Sequence, residues 1–463
     1  MNLRLKSILV CAVLIPALGA CSLTPAYVRP DVAMPATWDH AAQEQGAEAV
    51  SAGWWQRFGS AELDQLMSQA LAANHDLAAA VSRIEQARAS SKIARSALAP
   101  SVGASASASR DRRDTNKSKS AAQYTSTQAL LSVNYELDLW GGNRANAKAA
   151  DARVAATVYD RDAIELVLQA DVAADYFQIL ALKDRLAIAR KNLGAAQQLL
   201  SLVQVRADNG AATALDVAQQ RTTLLNIQAE VPALEQSLGQ TQTALAVLLG
   251  RAPEGFAVRG QSLAELKLPA VNAGQPVTLL ERRPDIQTAE ARLIAANADI
   301  GAARAALYPN ISLSAAAGVE GLLTGGTTTV ASIAASLAQT IFDAGQRRGQ
   351  VELAQGARKE LVEGYAQSVL IALKEVEDSL IAEDATSRRA DTLDAATSEA
   401  RKAYDLATVR YQAGMQDLLT VLDAQRSQLS AEDNLVQARL GRYTATINLY
   451  KALGGGWSGN AAA

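Results

Sequence analysis

The sequence predicts a mainly α-helical chain that carries a membrane-spanning β-sheet and is built as two copies of one unit: helix, hairpin, long helix, return helix. Three observations carry this. Residues 70–107 match residues 279–316 at an offset of 209, which puts Arg95, Ala97 and Pro100 on Arg304, Ala306 and Pro309. Further on, Val205-Arg206…Gly210…Leu215 falls on Val409-Arg410…Gly414…Leu419 at an offset of 204. A period this long is no solenoid and means a duplication. Prolines beyond position 35 occur only at 100, 232, 253, 269, 276, 284 and 309, so residues 101–231 and 310–463 are free to form very long helices. Between the short and long helices of each unit lies a run whose apolar residues alternate with period two.

The elements follow in chain order. Residues 1–20 join a basic start to an apolar run too short to span a bilayer, the pattern of a secretory signal. The stretch Leu18-Gly19-Ala20-Cys21 resembles the bacterial lipobox, which implies that Cys21 carries acyl chains and anchors the mature chain. Ser22 resembles outer-membrane rather than inner-membrane sorting; the alternative is an ordinary signal with an incidental Cys. Residues 21–59 then form the lipidated N-terminal segment, 60–250 the first repeat, 251–278 a Pro- and Gly-containing linker or equatorial region, 279–454 the second repeat, and 455–463 a C-terminal tail.

In the first repeat a helix over roughly 60–98 is expected to lead into strands at about 99–110 and 125–139. Ala129, Leu131, Val133, Tyr135 and Leu137 share one face of the second strand; Leu130, Ser132, Asn134 and Glu136 share the other. The second repeat repeats the pattern with strands at about 309–320 and 328–342, where Ile311, Leu313, Ala315, Ala317 and Val319 alternate with Asn310, Ser312 and Ser314. Alternation over about ten residues suits a transmembrane strand, apolar to lipid and polar to a lumen, although a soluble antiparallel sheet would alternate too. Two hairpins give only four strands, and an open sheet in lipid leaves edge groups unpaired, so at least two chains must combine. Strand counting does not choose between two and three.

The long helices follow. Ile179, Leu182, Leu186, Ala189, Leu193, Ala196, Leu200 and Val203 form a heptad seam, and Leu224, Ile227, Val231, Leu234, Leu238, Thr241, Leu245 and Leu248 continue it in the return segment. A helix over residues 145–206 would be about 93 Å long, several times the hydrocarbon thickness of a bilayer. Pro232 is expected to bend the return helix.

Composition narrows the function. With 44 basic against 47 acidic residues the chain is no polybasic nucleic-acid binder. Neither of the two Cys lies beyond position 21, which excludes disulfide frameworks and His/Cys metal cages from the body of the chain. No phosphate-loop spacing occurs, so no cofactor and no enzyme chemistry are expected, and Trp54, Trp55 and Trp140 read as packing residues.

A family resemblance now enters. Cys21-Ser-Leu-Thr-Pro-Ala-Tyr-Val-Arg-Pro30, Trp54-Trp55…Phe58, Glu136-Leu-Asp-Leu-Trp-Gly-Gly142 and above all Val409-Arg-Tyr-Gln-Ala-Gly-Met-Gln-Asp-Leu-Leu-Thr-Val-Leu-Asp-Ala-Gln-Arg426 resemble the outer-membrane lipoproteins (outer membrane factors) of tripartite resistance-nodulation-division multidrug efflux systems. The resemblance spans residues 15–455 and implies a homotrimer, with a 12-stranded β-barrel in the outer membrane and a 12-helix α-barrel in the periplasm. It implies a periplasmic adaptor and an inner-membrane resistance-nodulation-division pump as partners, and passive conduction of drugs or other small toxic compounds. A type I secretion duct and a structural periplasm-spanning lipoprotein without a pore are the alternatives. By the same resemblance, Leu419 and Asp423, four apart on one helix face, are the gate constriction, while Arg410, Tyr411, Asp417 and Arg426, with Asp216 in the first repeat, are its latches. The blander reading is that these charges solvate a helix end.

Overall fold

The computed structural model describes residues 22–40, 48–113, 122–321 and 326–458; the signal segment with Cys21 and the end of the tail lie outside them. The first repeat contains α1 (Ala61–Ala73), α2 (His75–Ser96), β1 (Ser101–Arg113), β2 (Ala122–Glu136), α3 (Gly142–Asp208) and α4 (Ala214–Leu248). The second contains a helical turn at Leu279–Arg282, then α5 (Pro284–Ala305), β3 (Asn310–Glu320), β4 (Thr328–Ala338), α6 (Gln346–Gln412) and α7 (Leu418–Ala452). Apart from the first helix, which is 13 residues in one copy and 4 in the other, the copies agree to the residue: α2 and α5 have 22 residues, α3 and α6 have 67, α4 and α7 have 35. At 1.5 Å per residue the 67-residue helices are about 100 Å long. Among the described residues no helix is long and apolar enough to cross a membrane.

The chain divides into two compact units that cut across the duplication. One holds Met1–Asp31, Arg83–Val158 and Thr288–Ala366; the other holds Val32–Ser82, Tyr159–Gln287 and Gln367–Ala463.

The first unit contains the sheet, an antiparallel meander in the order β1-β2-β3-β4. Its base is fixed to the helices by short polar ties. Asp138 accepts from the backbone N–H groups of Asn143 (3.0 Å) and Arg144 (2.9 Å), which satisfies two orphan donors at the start of α3. The Trp140 ring stacks on Tyr308 at 4.8 Å, and its indole N–H donates to the Pro309 carbonyl at 2.7 Å. The N-terminal segment lies on α5: Arg29 forms a bidentate pair with Glu290 (2.8 and 2.7 Å), and the Asn297 amide donates to the Pro25 carbonyl. Burial first, and then Glu290, raise the Tyr27 hydroxyl pKa above its ordinary value.

In the second unit the few aromatic residues are concentrated into one core. Trp54 stacks on Tyr450 at 4.9 Å, and Phe58 meets Phe177 at 4.8 Å, all four fully buried. The first helix of each repeat is interrupted where one helix was expected over 60–98. Asn74 is extended (φ −65°, ψ 128°), and so is Arg283, its counterpart at the offset of 209 (φ −104°, ψ 118°). Each break is tied to the end of its return helix. The Asn74 amide donates to the Leu248 carbonyl (3.0 Å), and the Arg283 guanidinium donates to the Ala452 carbonyl (3.1 Å). Beside these bonds sit Gly250 (φ 64°) and Gly454 (φ 84°), where a Cβ would lie 2.1 Å from the Ala73 carbonyl oxygen and 2.0 Å from that of Arg282.

Residues 251–278 are wrapped onto this unit. Glu62 accepts from the N–H groups of Arg259 (2.6 Å) and Gly260 (2.8 Å), Lys183 donates to the carbonyls of Val258 and Gly260, and the Tyr443 hydroxyl donates to the Leu266 carbonyl. The return helix α4 continues through Pro232.

Candidate functional site

Two places in the chain are singled out by the sequence: the sheet and the turns that join each long helix to its return helix. In the sheet, register decides what each face presents, because directly opposed residues point the same way. Val102, Val133, Ala315 and Ile333 form one row across all four strands, and Ala104, Leu131, Ala317 and Ala331 the next. The opposite face has the rows Ser101, Asn134, Ser314, Ala334 and Gly103, Ser132, Ala316, Ser332. On that face the Ser312 and Ser336 hydroxyls meet at 2.7 Å. Ile333 is 91% exposed, so the apolar face is uncovered within the single chain. Neither β1 nor β4 has a partner on its outer edge among the described residues.

The two helix turns are copies of each other. In the first, the Gly210 N–H donates to the Ala207 carbonyl (2.9 Å) and the Ala211 N–H to that of Arg206 (2.8 Å). In the second, Gly414 donates to Tyr411 (2.9 Å) and Met415 to Arg410 (2.9 Å), each atom displaced by 204 residues. Thr213 caps α4 by accepting from the Asp216 N–H, and Asp417 caps α7 by accepting from the Thr420 N–H.

This geometry places each residue named from the sequence. Leu419, 59% exposed, occupies the first turn of α7 next to the buried Leu418. Asp423 lies one turn on, exposed, with Arg426 at 3.1 Å. Asp417 acts as a helix cap, and hydrogen bonds from the Thr420 hydroxyl and backbone hold its carboxyl below the usual range. Asp216 completes a reciprocal capping box with Thr213, accepting from its backbone N–H at 2.7 Å. Tyr411 is buried in a cluster with Leu199, Val203, Ala407, Leu418 and Val421. Arg410 is exposed and makes no side-chain bond among the described residues.

Two further residues belong here. Arg206 places its guanidinium 4.5 Å from the centre of the Tyr411 ring and donates to the Tyr411 carbonyl at 2.8 Å. Leu215 is 64% exposed at the position of α4 that Leu419 holds in α7. The signal for both was present, since the offset of 204 sets Arg206 on Arg410 and Leu215 on Leu419. The exposed pair Asp423–Arg426 contributes at most about 1 kcal/mol. Each buried Leu or Tyr of the cluster contributes about 1.5–3 kcal/mol, so apolar packing holds the turn together.

Comparison with known proteins agrees with this architecture. Residues 66–251 and 276–455 match the family model for outer membrane efflux proteins, one stretch in each repeat. The pyoverdine export outer membrane protein OpmQ of Pseudomonas aeruginosa is 39% identical over 455 residues, 95% of this chain and 95% of that protein. The solved outer-membrane channel OprN superposes with a TM-score of 0.87 at 30% identity, covering 94% of this chain and all of that one. The open state of the Neisseria gonorrhoeae MtrE outer membrane channel gives 0.84 at 30% identity, over 94% and 98% of the two chains. The chain belongs to the outer membrane efflux protein family, an exit duct of an efflux system in the bacterial outer membrane.

Proposed function

We propose that three copies associate so that their sheets close into one 12-stranded barrel and their helices α3, α4, α6 and α7 assemble into a 12-helix periplasmic tube. The observation that carries this is the sheet itself: one face apolar, the other lined with short hydroxyls, and both outer edges without a partner strand among the described residues. Lipid requires closure, because edge N–H and C=O groups have no water to bond there. Cys21, adjoining the segment held on α5, anchors the assembly through acyl chains. A periplasmic adaptor and an inner-membrane resistance-nodulation-division pump deliver cargo, and this component conducts it passively without catalysis. OpmQ is named for pyoverdine export, and this duct takes small molecules of comparable or lesser size, drugs among them.

The resting gate consists of the helix turns. Leu419 supplies an apolar ring and Asp423 an acidic one above it, with Arg410, Tyr411, Asp417, Arg426 and Asp216 holding the turns in place. Leu215 adds three further apolar side chains, so the first repeat shares the constriction. Wild-type protein in planar bilayers is expected to show small, infrequent openings. Leu419→Ala and Asp423→Ala are each expected to raise conductance several-fold and to admit large antibiotics into cells. A protein that inserts but never conducts, in wild type and both variants alike, would sink the proposal.

A further inference from the structure

The apolar face of the sheet carries charge at one end only. The register sets Arg110 opposite Thr125, on the face that Val102, Ala104, Leu131 and Val133 share. Arg112 follows on the same face, about 7 Å further along β1. Both side chains are exposed. The acidic residues of the sheet, Asp111, Glu136 and Glu320, all fall in rows of the opposite face, where the Ser109 hydroxyl donates to the Asp111 carboxyl at 3.2 Å. Among the described residues no other charged side chain lies in the apolar rows.

Strand geometry gives the depth of this pair. Tyr135 belongs to the apolar face, at the end of the sheet where Trp140 stacks on Tyr308 and the long helices begin. From Tyr135 to Thr125 is ten residues, which at about 3.4 Å each on a strand tilted by about 40° rise about 26 Å. A transmembrane barrel carries an apolar band about 25 Å tall bounded by aromatic residues, so with Tyr135 at one boundary Arg110 reaches the other. An arginine turned to lipid is costly at mid-depth and nearly without cost at the boundary, where it meets headgroups. This end of the strands is remote from Gly142 and Gln346, where the long periplasmic helices start, and so lies in the outer leaflet.

We propose that Arg110 and Arg112 grip the phosphate groups of the phosphorylated glycolipid of the outer leaflet, forming a basic belt around the barrel. The inference rests on the barrel reading above, which sets copies of the pair on one circumference. A guanidinium fork matches phosphate oxygens with two parallel hydrogen bonds, and a spacing of about 7 Å lets the two side chains hold one headgroup between them. A carboxylate on this face would repel the same headgroups, and Asp111, between the two arginines in sequence, is turned to the other face. The belt takes lipid rather than exported cargo, since it faces away from the hydroxyl-lined wall, and it fixes the height of the barrel in the membrane.

The test titrates core-truncated lipopolysaccharide into the detergent-extracted full chain and reads binding from the rise in melting temperature, with phosphatidylglycerol and phosphatidylcholine as the other lipids. Wild type is expected to bind lipopolysaccharide about tenfold more tightly than the double variant Arg110→Gln with Arg112→Gln, as loss of charged hydrogen bonds implies. Arg110→Lys with Arg112→Lys is expected to fall between them, because an ammonium keeps the charge but not the fork. Phosphatidylglycerol, whose headgroup holds a single phosphate, is expected to bind wild type more weakly, and phosphatidylcholine to bind all three proteins alike. Equal lipopolysaccharide affinity of wild type and the Gln variant overturns the inference, as does phosphatidylglycerol matching lipopolysaccharide in wild type. Ile333→Cys carrying an environment-sensitive fluorophore checks the underlying reading in vesicles. Quenching by brominated acyl chains, with the Gln variant binding as wild type does, leaves the barrel standing and removes the belt; no quenching removes the barrel reading and the belt with it.

Discussion

Asp175 on α3 shows how a single side chain makes stability depend on pH. Burial, and then the neighbouring Asp171 one turn away, push its carboxyl pKa up to about 6; Lys451, from α7, acts on Asp171. A carboxyl whose folded value is raised binds protons more readily in the folded state, so it favours folding at low pH and that contribution is lost as pH rises through about 6. Asp175→Asn is therefore expected to be more stable than wild type at pH 7.5 by on the order of 1–2 kcal/mol, with the difference shrinking through pH 5 and vanishing below about pH 4, checked by thermal melts. Glu432 is the opposite case: burial alone would raise it, but bonds from Arg401, Asn192 and Gln428 outweigh that and hold it below its usual range. At this scale the sequence was partly legible. The spacing of Leu419 and Asp423 placed them on one helix face, whereas Asp216 and Asp417, named as latches, proved to be capping residues only in the structure. The contact of Arg206 with Tyr411 was not, because it joins residues 205 apart whose meeting depends on how α3 packs on α6.

Among the elements, the helix breaks have the sharpest consequences. Gly250 and Gly454 hold positive φ and face a backbone carbonyl that cannot yield, so Ala at either position is strained in conformation and blocked in space. Gly454→Ala is expected to destabilise the fold by about 3 kcal/mol or more, and Gly250→Ala similarly, while Gly239→Ala, inside α4 with open space around its Cβ, is expected to be neutral or stabilising. Urea titrations of the three variants distinguish these outcomes. The long helices were legible from the absence of proline. The break at Arg283 had a local marker, since the residue before a proline is biased away from helix, but Asn74 has no such neighbour. Residues 251–278 looked like a linker from their Pro and Gly content; their anchoring depends on Glu62 and Lys183, distant in sequence, which local composition does not reveal.

For the molecule as a whole, the period-two runs disclosed a two-faced sheet, whereas the pairing of β2 with β3 across the repeats was fixed only by the structure. The two faces carry opposite expectations. Ile333→Arg, on the apolar face, is expected to cost about 2–4 kcal/mol in lipid and to deplete heat-resistant protein from outer-membrane fractions. Ser332→Arg, its neighbour on the other face, is expected to insert normally and shift ion preference toward anions, read from reversal potentials. That second face is made mostly of Ser, Thr, Ala and Gly, with Glu136 and Glu320 its charged members along the rows that pair β2 with β3. A wall of such short side chains offers a passing solute neither a pocket nor a ring to lodge against. Residence on it is brief and much alike for chemically unrelated compounds of the same charge, so discrimination among them has to be completed before cargo arrives.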